Sequence, residues 1–299
     1  MISLKTKLAI ILGGAFLITG IVGAMAAKPA EPKRPKVFLA CETYSIRDIM
    51  SKEPAEGKYD MVSVMKLMKD IGMKGVTLND IWMKSYDKPY LDQIKKAAKD
   101  NGIIIVGLIC EGNLSTTDDT AWNKQIEVDR EKMRAAAYLG GSIVRLNLGG
   151  LGNQEKDDTI GTDQCIAAFK KLLPLAKKLN IKMTIENHGG PSKKADNIIR
   201  IIKSTDPKWV GSCMDFRNWP PENILEENAK VAPYAYHVHA KAYNFDDKGE
   251  ETSVSYAKVL QMLKNANYQG AISIEFEGPG DQIEGVKKTR DLILKYWNM

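Results

Sequence analysis

The chain has 299 residues, 44% of them hydrophobic and 27% charged, which is ample for one buried core and too apolar for a disordered chain. Its formal net charge of +6 is modest, and its lysines are interleaved with acids on predicted helices, which argues for solvated helix faces and against a nucleic-acid-binding surface. Cys41, Cys110, Cys165 and Cys213 form no C-x-x-C pair and three of them fall in predicted strands, so buried free thiols are expected rather than a disulfide framework.

Residues 1–26 read as a signal peptide. Lys5 and Lys7 precede an almost wholly apolar run from Leu8 to Gly23, and Ala24-Met25-Ala26 is an A-x-A cleavage site. About 20 apolar residues also suffice to cross a bilayer, so an uncleaved anchor is the alternative. Against it, small residues crowd the end of the run and no stop-transfer charge cluster abuts it. No Cys follows for lipid attachment and no twin-Arg is present, which points to general secretion. The protein is therefore expected to be exported, periplasmic or secreted, with no stable membrane insertion after cleavage. Residues 27–36, rich in Pro and Lys, read as a linker, and residues 37–299 as the folded domain.

Strands are predicted at Val37–Thr43, Gly75–Asn79, Ile103–Cys110, Ser142–Leu148, Lys182–Asn187, Val210–Phe216, Ala235–Ala242 and Ala271–Glu277. Between them, stretches such as Asp92–Asp100, Trp122–Leu139, Asp163–Leu179, Ala257–Ala266 and Ile283–Trp297 repeat apolar residues every three or four positions, as amphipathic helices do. Gly102, Gly141 and Gly270 stand where a left-handed helix C-cap is wanted. Eight strands alternating with eight helices predict an α/β fold of the (β/α)8 TIM-barrel type. The competitor is an open doubly wound sheet, but no G-x-G-x-x-G follows the first strand.

Four successive late strands each end on a residue able to bind a metal: Glu186, Asp215, His239 and Glu275. Three oxygens and one nitrogen suit a divalent ion such as Mn2+, Mg2+, Co2+ or Zn2+. A closed barrel gathers these ends around one mouth, whereas an open sheet spreads them over about 15 Å at nearly 5 Å per strand. Alternation places Thr184 beneath Glu186, Cys213 beneath Asp215, His237 beneath His239 and Ser273 beneath Glu275. The competing reading pairs the acids with Arg145, Arg217 or Lys241 as salt bridges, but four converging ligands lack four matching cations.

The runs TIENHGG, CMDFRN, HVHAK and ISIEFEG, with ETYSIRD at the first strand, resemble the xylose-isomerase-like TIM barrels. That sugar phosphate isomerase/epimerase superfamily also includes ketose 3-epimerases, inosose dehydratases and endonuclease-IV-type enzymes, and the likeness runs from about Val37 to the last helix. The resemblance implies that Glu186, Asp215, His239 and Glu275 hold one metal ion. It also implies that Glu186 and Glu275 face each other across a sugar or keto-sugar as the catalytic acid/base pair. Such a site moves a proton next to a carbonyl through an enediolate, giving a metal-dependent isomerase or epimerase. Loss of a β-hydroxyl from the same intermediate makes a keto-sugar or inosose dehydratase the runner-up. A non-catalytic carbohydrate-binding barrel is the alternative of another class.

Two departures bear on this reading. The family's second strand often ends G-V-E-L, and here Thr77 replaces the acid. Endonuclease-IV members use many histidines for three metals, and this chain has three His in total, which argues against a DNA substrate. Candidate substrate contacts are His188, Arg217, Lys241, Asn147 and Glu42, with Glu111 and Arg145 also at the mouth. Trp82, Trp219 and Tyr243 are candidates for stacking on a sugar ring, and Gly149–Asp158 reads as a loop with lid behaviour.

Overall fold

Eight parallel strands pair in sequence order and close on themselves, β8 hydrogen-bonding to β1. The computed structural model describes residues 37–53, 55–149 and 158–298; the expected signal peptide and linker, and nearly all of the expected lid, lie outside the described residues. The strands are β1 (Val37–Glu42), β2 (Gly75–Asn79), β3 (Ile104–Cys110), β4 (Ile143–Leu146), β5 (Lys182–Glu186), β6 (Val210–Asp215), β7 (Ala235–Ala242) and β8 (Gly270–Phe276). The helices that follow them are α1 (Val64–Asp70), α2 (Lys88–Asn101), α3 (Asp119–Tyr138), α4 (Asp158–Leu179), α5 (Ala195–Ser204), α6 (Ile224–Val231), α7 (Tyr256–Asn265) and α8 (Gln282–Tyr296). The fold is the predicted (β/α)8 barrel.

Local chemistry explains the element ends. Asp118 caps α3 by accepting from Ala121 N at 2.8 Å, and Asp281 caps α8 through Ile283 N and Glu284 N. Pro89 sits in the first turn of α2, so this helix begins earlier than the predicted Asp92. Gly102 takes the left-handed conformation that ends α2 (φ 68°), as expected; after α3 the same role falls to Gly140 (φ 85°) rather than Gly141. Several strands stop a residue or two before their predicted ends because the ladder runs out at the rim. There side chains take over the pairing: the Ser45 hydroxyl donates to Ile274 O and accepts from Phe276 N, both at 2.9 Å.

The hydrophobic core has two parts. The larger lies between the barrel and its helices; the smaller, made of Phe38, Ala40, Val106, Ile143 and Ala271 with Ile104 beside it, fills the lower barrel interior. Above this apolar floor the inward positions turn small and polar, and Thr77 Oγ1 lies 2.7 Å from Ser273 Oγ across the barrel. The residue standing where the family often has an acid therefore closes a hydrogen bond beneath the mouth. All four cysteines are buried and free. Among the described residues no helix is long and apolar enough to cross a membrane.

Candidate active site at the mouth of the barrel

Glu186 ends β5, Asp215 ends β6, and His239 and Glu275 stand near the ends of β7 and β8. Each is at least nine-tenths buried, and one ligand-capable atom from each lies within 4.8 Å of all the others. The strand register produces this convergence: Asp215 pairs with His239, and Glu275 pairs with Lys241, one inward position further along β7. Below them Cys213 pairs with His237, one inward layer lower, as the alternation predicts.

The cations expected to compete for these acids are also present. Arg145 Nε donates to Glu186 Oε2 at 2.6 Å, and its Nη1 donates to Glu111 Oε1 at 2.9 Å. Lys241 Nζ lies 3.4 Å from Asp215 Oδ2, 3.5 Å from Glu275 Oε2 and 2.9 Å from Glu277 Oε1. His239 Nδ1 faces two carboxylates at once, Glu186 Oε1 at 3.0 Å and Glu275 Oε2 at 3.1 Å. Salt bridges and a convergent ligand set therefore coexist here.

Electrostatics separates the acids. Burial would raise Glu186, but Arg145 and then His239 outweigh it and hold its carboxyl well below the usual range. For Glu275 burial is likewise overcome, by Lys241 and His239, and the pKa falls to about 2. Asp215 goes the other way: burial pushes it well above its ordinary value, with Lys241 opposing and the Glu275 and Glu186 charges reinforcing the rise. Burial, then the Glu275 charge, pushes Glu42 up to about 8. His237 is driven well below its usual range by burial and by the neighbouring His239.

Several buried polar atoms here have no hydrogen-bond partner, among them Asp215 Oδ2, Glu275 Oε2 and Glu42 Oε1. Buried carboxylate oxygens without donors are costly, and a shell of such oxygens around one imidazole is the donor chemistry of a divalent cation. The residues fit such an ion.

A cavity of about 390 Å³ opens onto this cluster, lined by Glu186, His239 and Glu275 together with His188, Lys241, Arg145 and Glu111. Of the candidate substrate contacts, His188 and Lys241 therefore face it. Asn147 donates to Glu111 Oε2 at 2.6 Å and so acts on the cavity wall through that acid. Glu42 is buried at the end of β1 and accepts from Tyr44 N at 2.6 Å. Arg217 is turned away, its Nε donating to Ser253 Oγ at 2.9 Å and its guanidinium set 5.6 Å from the Tyr243 ring. Tyr243 lines the cavity, whereas Trp219 is buried with its indole donating to Asn228, and Trp82 tilts against Tyr44.

Sequence reasoning missed Glu277, Asn218 and Tyr44, which also line the cavity. The alternation in ISIEFEG carried the signal for Glu277, which shares a face with Glu275. Asn218 had none, because it is carried into place by a loop: its backbone N–H donates to Asp215 Oδ1 at 2.8 Å while its side chain accepts from Lys241.

A model of the family described as xylose isomerase-like TIM barrel matches residues 65–296. Among curated proteins, the chain is 43% identical over 53 residues to the 3'-dehydrocarminate deglycosidase alpha subunit of a Microbacterium species, a match covering 18% of this chain and 15% of that protein. The match thus spans only a small part of that relative. The solved structure of D-psicose 3-epimerase in the presence of D-fructose superimposes with a TM-score of 0.69 at 14% identity, covering 87% of this chain and 99% of that one. The 3-keto-D-glucoside 4-epimerase of E. coli gives a TM-score of 0.69 at 14% identity, over 88% of this chain and 100% of that one. At such identities the structural likeness establishes the fold.

Arg145 tests the charge balance of the site. Removing one partner of a buried ion pair costs about 3–5 kcal/mol, and Arg145→Met should lower stability by that order at neutral pH. With Arg145 present, the depressed Glu186 pKa contributes stability that is fully present above the ordinary Glu range and is lost as pH falls through the folded-state value. In the variant Glu186 loses the largest of the charges that oppose its burial, with His239 and Lys241 remaining, so its pKa rises and acidification that protonates it relieves the penalty. Urea midpoints of both proteins in chelator-containing buffer should therefore converge as the pH is lowered from about 7 to about 5.

Proposed function

The chain belongs to the xylose isomerase-like TIM barrel family, and from that membership we propose a divalent-metal-dependent sugar isomerase or epimerase that transfers a proton next to a carbonyl. The observation that carries this reading is the pair of carboxylates, Glu186 and Glu275, 3.0 and 3.1 Å from either side of one imidazole nitrogen at the floor of a sugar-sized cavity.

Glu186, Asp215, His239 and Glu275 are proposed to hold the ion, Mn2+, Mg2+, Co2+ or Zn2+. When bound, it supplies Lewis-acid stabilisation of the negative charge that builds on the substrate oxygens. The chain's own residues do the rest. Arg145 and Lys241 keep Glu186 and Glu275 ionised, so either can act as a base toward an activated C–H. One takes the carbon-bound proton. The other, charged with a proton from an exchangeable substrate hydroxyl, delivers it to the opposite face or to the adjacent carbon, and solvent hydrogen thereby enters the sugar. Lys241 and His188 are proposed to donate hydrogen bonds to sugar oxygens. Glu42, with its elevated pKa, is proposed as a further donor beside the pair.

The proposed substrate is a non-phosphorylated sugar or keto-sugar. The charges of Arg145 and Lys241 in the cavity wall are already balanced by carboxylates, which argues against a phosphate and leaves Lys241 able to donate to a neutral sugar oxygen. The similarity to a deglycosidase named for a 3'-dehydro substrate and the structural likeness to a 3-keto-D-glucoside epimerase support a keto-sugar. The similarity to the deglycosidase favours a second reading, in which the proton abstraction is followed by loss of a substituent from the neighbouring carbon.

Metal-loaded protein incubated with a panel of keto-sugars in deuterated water should place deuterium on the carbon next to the carbonyl. Glu186→Gln or Glu275→Gln should slow that exchange by about 10²–10⁴-fold. Exchange accompanied by loss of a substituent selects the elimination reading, whereas tight binding without exchange selects a non-catalytic binding barrel.

Metal binding has a separate test. The double variant Glu186→Gln, Asp215→Asn should lose stoichiometric Mn2+ uptake by calorimetry while keeping its circular dichroism spectrum; undiminished uptake refutes the site.

We further propose export through the N-terminal segment. Intact mass of protein from the extracytoplasmic fraction should correspond to a chain beginning at Ala27, and a mass retaining residues 1–26 would instead favour an anchor.

A further inference from the structure

We propose that a second cation site lies directly beneath the first, formed by Cys213, His237 and His239, and that it takes a thiophilic divalent ion such as Zn2+. Cys213 on β6 and His237 on β7 are register partners, and one ligand-capable atom from each of the three residues lies within 4.8 Å of the others. All three side chains are at least nine-tenths buried.

Hydrogen bonding supplies a second, independent observation. Neither ring nitrogen of His237 has a partner, although its side chain is wholly enclosed. A neutral imidazole always presents one N–H and one lone pair, and a buried ring with both unmet asks for an occupant. His239 repeats the pattern in half: Nδ1 is turned to Glu186 and Glu275, while Nε2 is buried without a partner. The Cys213 sulfur lies within 4.8 Å of this same imidazole.

The two sites differ in chemical class. The upper set offers three carboxylates and one nitrogen, and suits a hard or borderline ion; the lower offers one sulfur and two nitrogens, the donors of zinc and cobalt sites. With both sites filled, His239 would bridge them as imidazolate, its two ring nitrogens serving one ion each. Binding below requires Cys213 to ligate as thiolate, and sharing His239 requires loss of its ring N–H, so two protons pass to solvent when both sites fill. Because the imidazole is shared, an ion below tunes the ligand that the upper ion uses.

Cobalt absorption tests the site without reference to turnover. Titrating Co2+ into the metal-free full chain should produce a near-ultraviolet thiolate-to-cobalt charge-transfer band. That band should persist in Asp215→Asn, which removes an oxygen ligand of the upper site. It should vanish in Cys213→Ser and in His237→Gln, while both variants still take up Mn2+ at the upper site. Absence of the band from wild-type protein at saturating Co2+ overturns the proposal and leaves an enclosed water as the partner of His237. A band that survives Cys213→Ser or His237→Gln overturns it as well. Failure of the deuterium-exchange experiment would leave this result unaffected, since one reads the reaction and the other a ligand bond.

Discussion

Three carboxyl groups, Glu186, Asp215 and Glu275, share a few ångströms of enclosed space, and the top of the barrel is organised around the repulsion among them. Two unit charges about 4 Å apart at an effective dielectric near 20 interact by about 4 kcal/mol, so a cluster of like charges cannot stand without compensation. Arg145 and Lys241 are buried because this compensation is needed there, against the usual preference of such residues for the surface. Their attraction does not serve all three acids equally. Glu186 and Glu275 are held ionised, whereas at Asp215 burial outweighs Lys241, the two glutamates add to the rise, and one oxygen is left without a hydrogen-bond donor. A divalent ion held by this set would relieve the crowding that two protein cations leave.

The closed barrel makes the cluster tolerable. Every residue of the ligand set sits on a strand rather than on a connecting loop, and each is in register with a neighbouring strand, Glu186 with Cys213, Asp215 with His239 and Glu275 with Lys241, while His239 is paired on both sides. The graded interior does the rest: an apolar floor of Phe38, Val106, Ile143 and Ala271, then a small polar layer, then charge. Side chains such as Thr184, which donates to Val144 O, and Ser273, which pairs with Thr77, satisfy their own hydroxyls and leave the acids above them space that a leucine would fill. The proposed lower cation site occupies this intermediate layer, at the point where two imidazoles stack edge to face with centroids 5.1 Å apart.

The fold was legible because the strand signals are strong and repetitive: all eight strands lie within a residue of their predicted starts. The ligand set was legible for the same reason, since period-two alternation fixes which residues face inward once a strand is recognised. The ion pairs were harder to read. Arg145 appears in the sequence as one arginine on a short strand, and only the β4–β5 register, which pairs it with Thr184, brings its guanidinium up to Glu186. Arg217 illustrates the opposite case. It follows Asp215 by two residues, yet the turn that points its backbone N–H at Asp215 Oδ1 sends its side chain outward to Ser253. Residues beyond the last ladder hydrogen bond lose the periodicity that makes a face predictable.

The cavity has two unlike walls, and their placement bears on how a substrate is held. Tyr44, Asn79, Ile81 and Ile109 come from the first three strands and the turns after them, Glu111 and Arg145 from just past β3 and from β4, and Glu186, His239, Lys241, Glu275 and Glu277 from β5, β7, β8 and the residue just past β8. Ile81 is 39% exposed and is one of few large apolar side chains so open among the described residues. A sugar has hydroxyls around its rim and C–H bonds on its faces. Laid between these walls, it presents oxygens to the charged side and apolar surface to Ile81 and the Tyr44 ring. The asymmetry of the mouth thus sets apolar surface beside the carboxylate pair, and both follow from which strands carry charge.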